Sequence, residues 1–228
     1  MLLLVLLAGT TTAFALTEAL KLEQSPVSRP RFKSVFSPTC ACPRETARLA
    51  VRLRDADTID AVIVDEDGDP VRTLVSREPY ASGRTVFRWD GRDDRGEIVP
   101  DGTYRLRLHF AEADRTILIP DTVRVDTRPP AIELVSLEPR RLESGGEAAT
   151  IEVRLTERSR PLLLANGELV LRGPVGDPGR VQLMWDGTVE GQPLSRGRYA
   201  LSLEAQDRAG NVSAPTEAVI VRIVRPGR

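Results

Sequence analysis

The chain has 228 residues, with 32 Lys plus Arg set against 33 Asp plus Glu and a single histidine, His109. A Ser-His-Asp or Cys-His catalytic set, or a zinc site built on several imidazoles, would have to run through that one imidazole, so most of enzymology is excluded at the outset. The charge balance is +2 up to Lys33, −4 over 34–127 and +1 from Arg128 onward. No segment supplies the basic footprint that nucleic-acid binding uses, and the length fits two small domains.

At the N-terminus, Leu2 to Ala8 is an unbroken apolar stretch of the size of a signal-peptide core, and Ala13-Phe14-Ala15 offers small residues spaced like a cleavage site. Read as an uncleaved anchor, the apolar segment extends to about Leu22, close to the ~20 residues a bilayer needs. Residues 1–22 are therefore expected to be a signal peptide or membrane anchor, and 23–33, with Pro26 and Pro30, a spacer. The expected location is the cell membrane, single-pass, with everything after the spacer outside the cytoplasm, or secretion if the chain is cut after Ala15.

Next come the only two cysteines, Cys40-Ala41-Cys42. Cα atoms two residues apart in a bent loop fall within the range a disulfide tolerates, and an exported chain favours the bond. So short a loop removes little unfolded-state entropy, so the bond is expected to fix the turn rather than to stabilise the domain by several kcal/mol. The competing reading is a redox or metal-handling site, for which two thiolates lack the third and fourth ligands.

From Ser34 to Thr127 the pattern has period two. Leu49, Val51 and Leu53 alternate with Arg48, Arg52 and Arg54, and Tyr104, Leu106, Leu108 and Phe110 with Arg105, Arg107 and His109. Asp67-Gly68 reads as a hairpin turn. Asp65, Asp67 and Asp69 alternate like calcium ligands, and Asp93, Asp94 and Glu97 form a second acidic group, but the spacing fails an EF-hand, and turn or solvated loop is preferred. The outward arginines Arg48, Arg52, Arg54, Arg105 and Arg107 suggest either a patch for anionic wall polymer or, the reading preferred here, a solvated charged face. His109 shares that polar phase.

Arg128-Pro129-Pro130 marks a boundary, since paired prolines cannot join a ladder. Beyond it the pattern returns: Ile151, Val153 and Leu155 alternate with Glu152 and Arg154, Asn166-Gly167 is a second hairpin signal, and Tyr199, Leu201, Leu203 and Ala205 alternate with Ser202, Glu204 and Gln206. Trp89-Asp90-Gly91 recurs as Trp185-Asp186-Gly187, and Gly102-Thr103-Tyr104 as Gly197-Arg198-Tyr199. The offset of ~95 residues matches a whole immunoglobulin-sized sandwich. Two homologous domains follow, 34–127 and 128–228, each with about seven strands. Trp89 and Trp185 are read as core residues whose polar edge is satisfied at the rim, in preference to sugar-stacking platforms.

Phe36-Ser37-Pro38, Trp89, Gly91, Gly96, Val99-Pro100 and Gly102-x-Tyr104 resemble the Ig-like domain of the flagellar hook-capping protein FlgD and of secreted proteases. Trp185, Gly187, Gly191, Gly197 and Tyr199 keep the pattern, and Asp207-Arg208-Ala209-Gly210-Asn211 resembles a late-strand turn of extracellular bacterial Ig-like repeats. Cys40 to Cys42 departs from it. The resemblance implies an all-β chain of two tandem immunoglobulin-like or fibronectin III-like sandwiches, and carries over no catalytic residues. The expectation is a non-enzymatic cell-envelope spacer or adhesion module without cofactor, metal or small-molecule substrate. Its partners would be the membrane and a cell-wall polymer or envelope protein; wall-polysaccharide binding, and redox or metal handling through Cys40 and Cys42, are the alternatives.

Overall fold

The computed structural model describes residues 25–32, 34–143 and 145–224. The expected signal or anchor segment 1–22 lies outside the described residues. Among those described, every regular element is a strand, and no helix is long and apolar enough to cross a membrane.

The first sandwich is built from β1 (Val27–Arg31), β2 (Ser34–Phe36), β3 (Ala47–Leu53), β4 (Asp57–Val64), β5 (Pro70–Tyr80), β6 (Gly83–Trp89), β7 (Gly102–Phe110) and β8 (Arg115–Val125). One sheet has the order β1-β3-β6 and the other β2-β8-β7-β4-β5. The second contains β9 (Ile132–Glu138), β10 (Arg141–Glu143), β11 (Ala149–Leu155), β12 (Arg160–Ala165), β13 (Glu168–Arg172), β14 (Gly179–Trp185), β17 (Gly197–Gln206) and β18 (Val219–Val224), with a short hairpin of β15 (Thr188–Val189) and β16 (Gln192–Pro193). Its sheets run β14-β11-β9 and β10-β18-β17-β12-β13. The two units share even the parallel edge pairing, β2 with β8 and β10 with β18.

Alternation builds each core. β3 and β11 bury every second side chain, and the inward residues of facing sheets meet in two separate clusters, one around Leu49, Ile63, Trp89 and Leu108, the other around Ile151, Leu163, Trp185 and Leu203. The stretch expected as spacer behaves differently: Val27–Arg31 pairs with β3, and Val27 and Phe32 are buried in the first core. Pro30 hid this strand from the sequence pattern. A proline is tolerated there because β1 stands at the sheet edge, where one N–H can be missing.

The two hairpin signals also diverge. Asn166 and Gly167 alone join β12 to β13, both at positive φ (52° and 84°), as a tight primed turn requires. Asp67-Gly68 instead lies in the longer loop 65–69 between β4 and β5. There the Asp65 carboxylate accepts from the Asp67 and Asp69 amides at 3.1 and 2.9 Å, an Asx-type closure that holds a wider turn.

Trp89 and Trp185 occupy equivalent places. They are 1% and 2% exposed, and each indole N–H donates three residues ahead, to the Arg92 carbonyl at 2.9 Å and to the Thr188 carbonyl at 2.8 Å. Tyr104 and Tyr199 each donate four residues back, to the Pro100 and Ser195 carbonyls at 2.7 and 2.9 Å. We expect Trp89→Ala to destabilise the first unit by about 3–5 kcal/mol, and Trp185→Ala to do the same for the second. Denaturant titration followed by far-ultraviolet circular dichroism, which reports both sandwiches, checks this; either variant with unaltered midpoints contradicts it.

Candidate functional site: the joint between the sandwiches

Three segments distant in sequence converge where the sandwiches meet. The first is the loop that leaves β2. Ser37 is buried and its amide donates to the Arg44 carbonyl at 3.2 Å, while the Cys40 amide donates to the Ser37 carbonyl at 3.3 Å. Phe36 meets Trp89 edge-on at 5.6 Å between ring centroids, and Pro38 lies directly against Gly91. Within this folded loop Cys40 and Cys42 are joined as a disulfide, their Cα atoms 5.2 Å apart, and Ala41 between them takes a left-handed conformation (φ 47°).

The second segment is the chain between the domains. The Asp126 amide donates to the Phe36 carbonyl at 3.1 Å. Thr127 gives both its amide and its hydroxyl to the Asp101 carboxylate, at 2.8 and 2.9 Å, and Arg128 pairs with the same carboxylate at 3.2 Å. Beyond the prolines, Ala131 and Thr156 bond reciprocally. Only Arg128-Pro129-Pro130 separates chain fixed to one sandwich from chain fixed to the other.

The third segment is the turn after β17. Asp207 is buried and its Oδ1 accepts from the Gly210 and Asn211 amides at 2.7 and 2.9 Å. Its Oδ2 accepts from the Asn211 side-chain amide at 2.7 Å. That amide also donates to the Asp126 carbonyl at 2.8 Å and reaches the Arg128 carbonyl at 3.3 Å. Buried Asn211 thus ties the second sandwich to the chain leaving the first.

Gly210 completes the contact. It sits at φ 106°, and a Cβ on it would stand 2.5 Å from Cys42 Sγ and 3.2 Å from Cys40 Sγ. The disulfide of the first sandwich is therefore seated on the bare backbone of the second, where only glycine fits. Arg44 adds a donor across the gap, Nη1 to the Arg208 carbonyl at 3.1 Å.

Beside these contacts runs an open cleft of about 710 Å³ bordered by Arg124, Asp126, Glu157 and Asp207. Burial, with the charges of Asp207 and Asp126, lifts the Glu157 carboxyl above its usual range, and Arg124 partly offsets this. His109 is far off, on β7, where Nδ1 meets the Thr116 hydroxyl at 3.0 Å.

The remaining residues singled out in the sequence are dispersed. Asp93 accepts from the Arg95 and Glu97 amides, each at 2.9 Å, and closes its own turn, while Asp94 accepts from the Thr73 amide at 2.9 Å and ties that loop to β5. Among the described residues no group of three or more His, Cys, Asp or Glu side chains is placed to hold a metal ion. Arg105 and Arg107 bind the Glu66 and Gly68 carbonyls of the loop between β4 and β5, and Arg54 binds the Ser25 carbonyl. Sequence reading isolated both Cys40-x-Cys42 and the Asp207 to Asn211 turn without bringing them together, because nothing in either motif encodes a contact across ~170 residues.

Residues 43–114 match the family model described as the FlgD Ig-like domain. Over 64 residues the chain is 43% identical to the "Basal-body rod modification protein FlgD" of Salmonella typhimurium, and equally to that of Salmonella typhi, an alignment covering 28% of this chain and 27% of each relative. The match thus takes in about a quarter of either protein. Among solved structures, the fibronectin(III)-like modules of Clostridium thermocellum CbhA align over 87% of this chain and 94% of theirs (14% identity, TM-score 0.47), and FlgD from P. aeruginosa over 58% and 88% (19% identity, TM-score 0.32). The central part of the first sandwich, residues 43–114, is accordingly similar to the FlgD Ig-like domain, and it contains Trp89, Gly91, Gly96, Val99-Pro100 and Gly102-x-Tyr104.

Proposed function

We propose that this chain is a non-enzymatic spacer or interaction module of the bacterial cell envelope, in which two Ig-like sandwiches are presented in one fixed relative orientation. The observation that carries the reading is the joint: Asn211 bonded to carbonyls on both sides of Thr127, and Gly210 receiving the Cys40–Cys42 disulfide. A flexible linker needs none of these contacts; a rigid one needs all three segments. The relation of the first sandwich to proteins named for basal-body rod modification supports a structural role. Export and tethering through residues 1–22, or release by cleavage after Ala15, rest on the apolar run from Leu2 to Ala8 and on a disulfide, which persists in oxidising compartments. The position of the two sulfurs against Gly210 favours this reading over redox or metal handling through Cys40 and Cys42.

Single-molecule energy transfer between dyes attached by non-cysteine chemistry at exposed Asp114 and Glu168 tests the claim. The full chain is expected to give one narrow distance distribution. Asn211→Ala leaves the Asp126 carbonyl and Asp207 Oδ2 without the side-chain amide that donates to them, at about 1–3 kcal/mol, and should broaden that distribution while both sandwiches stay folded. Gly210→Val, and removal of the disulfide by Cys40→Ser with Cys42→Ser, should broaden it as well. A broad distribution in the unaltered protein, or one that none of these changes affects, contradicts the reading.

The charge at the joint gives a separate expectation. Glu157 has its folded-state value raised, so ionising it costs the folded state. The cost is absent below the ordinary glutamate range and complete once pH has passed the raised value. Glu157→Gln should therefore raise the melting temperature at about pH 7 and leave it unchanged at about pH 3, as thermal denaturation at the two values would record. A gain of equal size at both values contradicts the assignment.

A further inference from the structure

The outer face of the three-stranded sheet in the first sandwich carries four arginines in two facing pairs. Arg48 stands opposite Arg88, and Arg52 opposite Arg84, with Ala50 opposite Val86 between them. All four arginines are exposed. Facing residues on neighbouring strands lie about 5 Å apart, and four positions along a strand span about 13 Å. Like charges placed directly opposite one another oppose sheet formation, so such an array is ordinarily neutralised. Here it is not: among the described residues no ion pair or side-chain hydrogen bond holds Arg48, Arg52, Arg84 or Arg88.

The second sandwich supplies an internal comparison. Its equivalent sheet has Thr150 opposite Met184, Glu152 opposite Gln182 and Arg154 opposite Arg180. Arg154 is paired with Glu133 and Arg180 with Glu152, each at 2.8 Å. The fold therefore tolerates a charge-balanced face at this place, and the first sandwich lacks one. Arg141, Arg222 and Arg198 form one row across the other sheet of the second unit, with no second row along the strands. Protecting the edge strand β6 calls for a charge on that strand, not for pairs on both.

We propose that this face binds a linear polyanion carrying regularly spaced phosphate groups. Each facing pair presents two guanidinium forks, which suit the non-bridging oxygens of a phosphate. Arg52 also borders an open hollow of about 460 Å³ with Ser28, Arg54 and Ser82, but only the repeat of the pair along the strands engages all four arginines, and it selects an extended polymer. The proposal is independent of the rigid joint, which uses none of these side chains.

The test is binding of inorganic polyphosphate to the full chain across a salt series, with a glycerol phosphate polymer and oligothymidylate as two sources of the same chemistry and polyglutamate as the carboxylate rival. Four contacts predict a slope of log affinity on log salt of about −3, from roughly −0.7 per phosphate on a single strand. Arg48→Ser with Arg88→Ser should halve the slope and weaken binding at least about tenfold at ~0.1 M salt. Arg95→Ser with Arg172→Ser removes the same charge elsewhere and should change affinity less than about twofold. Binding of either phosphate source that depends on the four arginines supports the proposal. Equal losses in the two double variants, no binding of any phosphate polymer, or tighter binding of polyglutamate overturns it.

Discussion

One buried side chain, Asn211, bonds at once to its own turn and to the chain that leaves the neighbouring domain. An amide in that position has to find partners, because burying an unpaired polar group costs more than a made hydrogen bond returns. Asp207 supplies one acceptor and the Asp126 carbonyl another, and satisfying both fixes where the second sandwich stands relative to the first. The seat of the disulfide on Gly210, the pairing of Arg128 with Asp101 and the short proline linker are consistent with that placement and would have little purpose without it.

The repeat shows which features belong to the fold and which to each domain. The indole donating three residues ahead and the phenol donating four back occur in both units with nearly the same distances, so these are requirements of closing the sandwich. The loop that carries Cys40 and Cys42 and the turn from Asp207 to Asn211 each occur once. They are placed where the domains meet, one from each side. The outer sheet faces differ in the same way: balanced by carboxylates in the second unit, bare of them in the first. The two units share one architecture, and the unique residues distinguish what each presents.

Much of the architecture was legible in the chain because alternation is a local signal. Leu49, Val51 and Leu53 declare a strand by themselves, and Trp89 with Trp185 declare the repeat. β1 was not legible, since Pro30 reads as a breaker unless one knows that the strand lies at an edge. The loop 65–69 was misjudged in length for a similar reason: Asp65 accepts two amides from within the loop, and a side chain that closes its own turn leaves no trace in the hydrophobic pattern. The site was legible only in pieces. Five outward arginines were marked from the sequence, yet Arg54, Arg105 and Arg107 bind backbone carbonyls, and Arg84 and Arg88 complete the cluster because register, which alternation alone does not set, places them opposite Arg52 and Arg48.

The central claim is that the two sandwiches tumble as one body. Residual dipolar couplings of backbone amides, measured separately for residues of the first and second sandwich in one weakly aligned sample, address it without any substitution. A fixed joint predicts a single alignment tensor, of equal magnitude and orientation for both domains; two tensors of different magnitude would show that the domains move independently and would contradict the account.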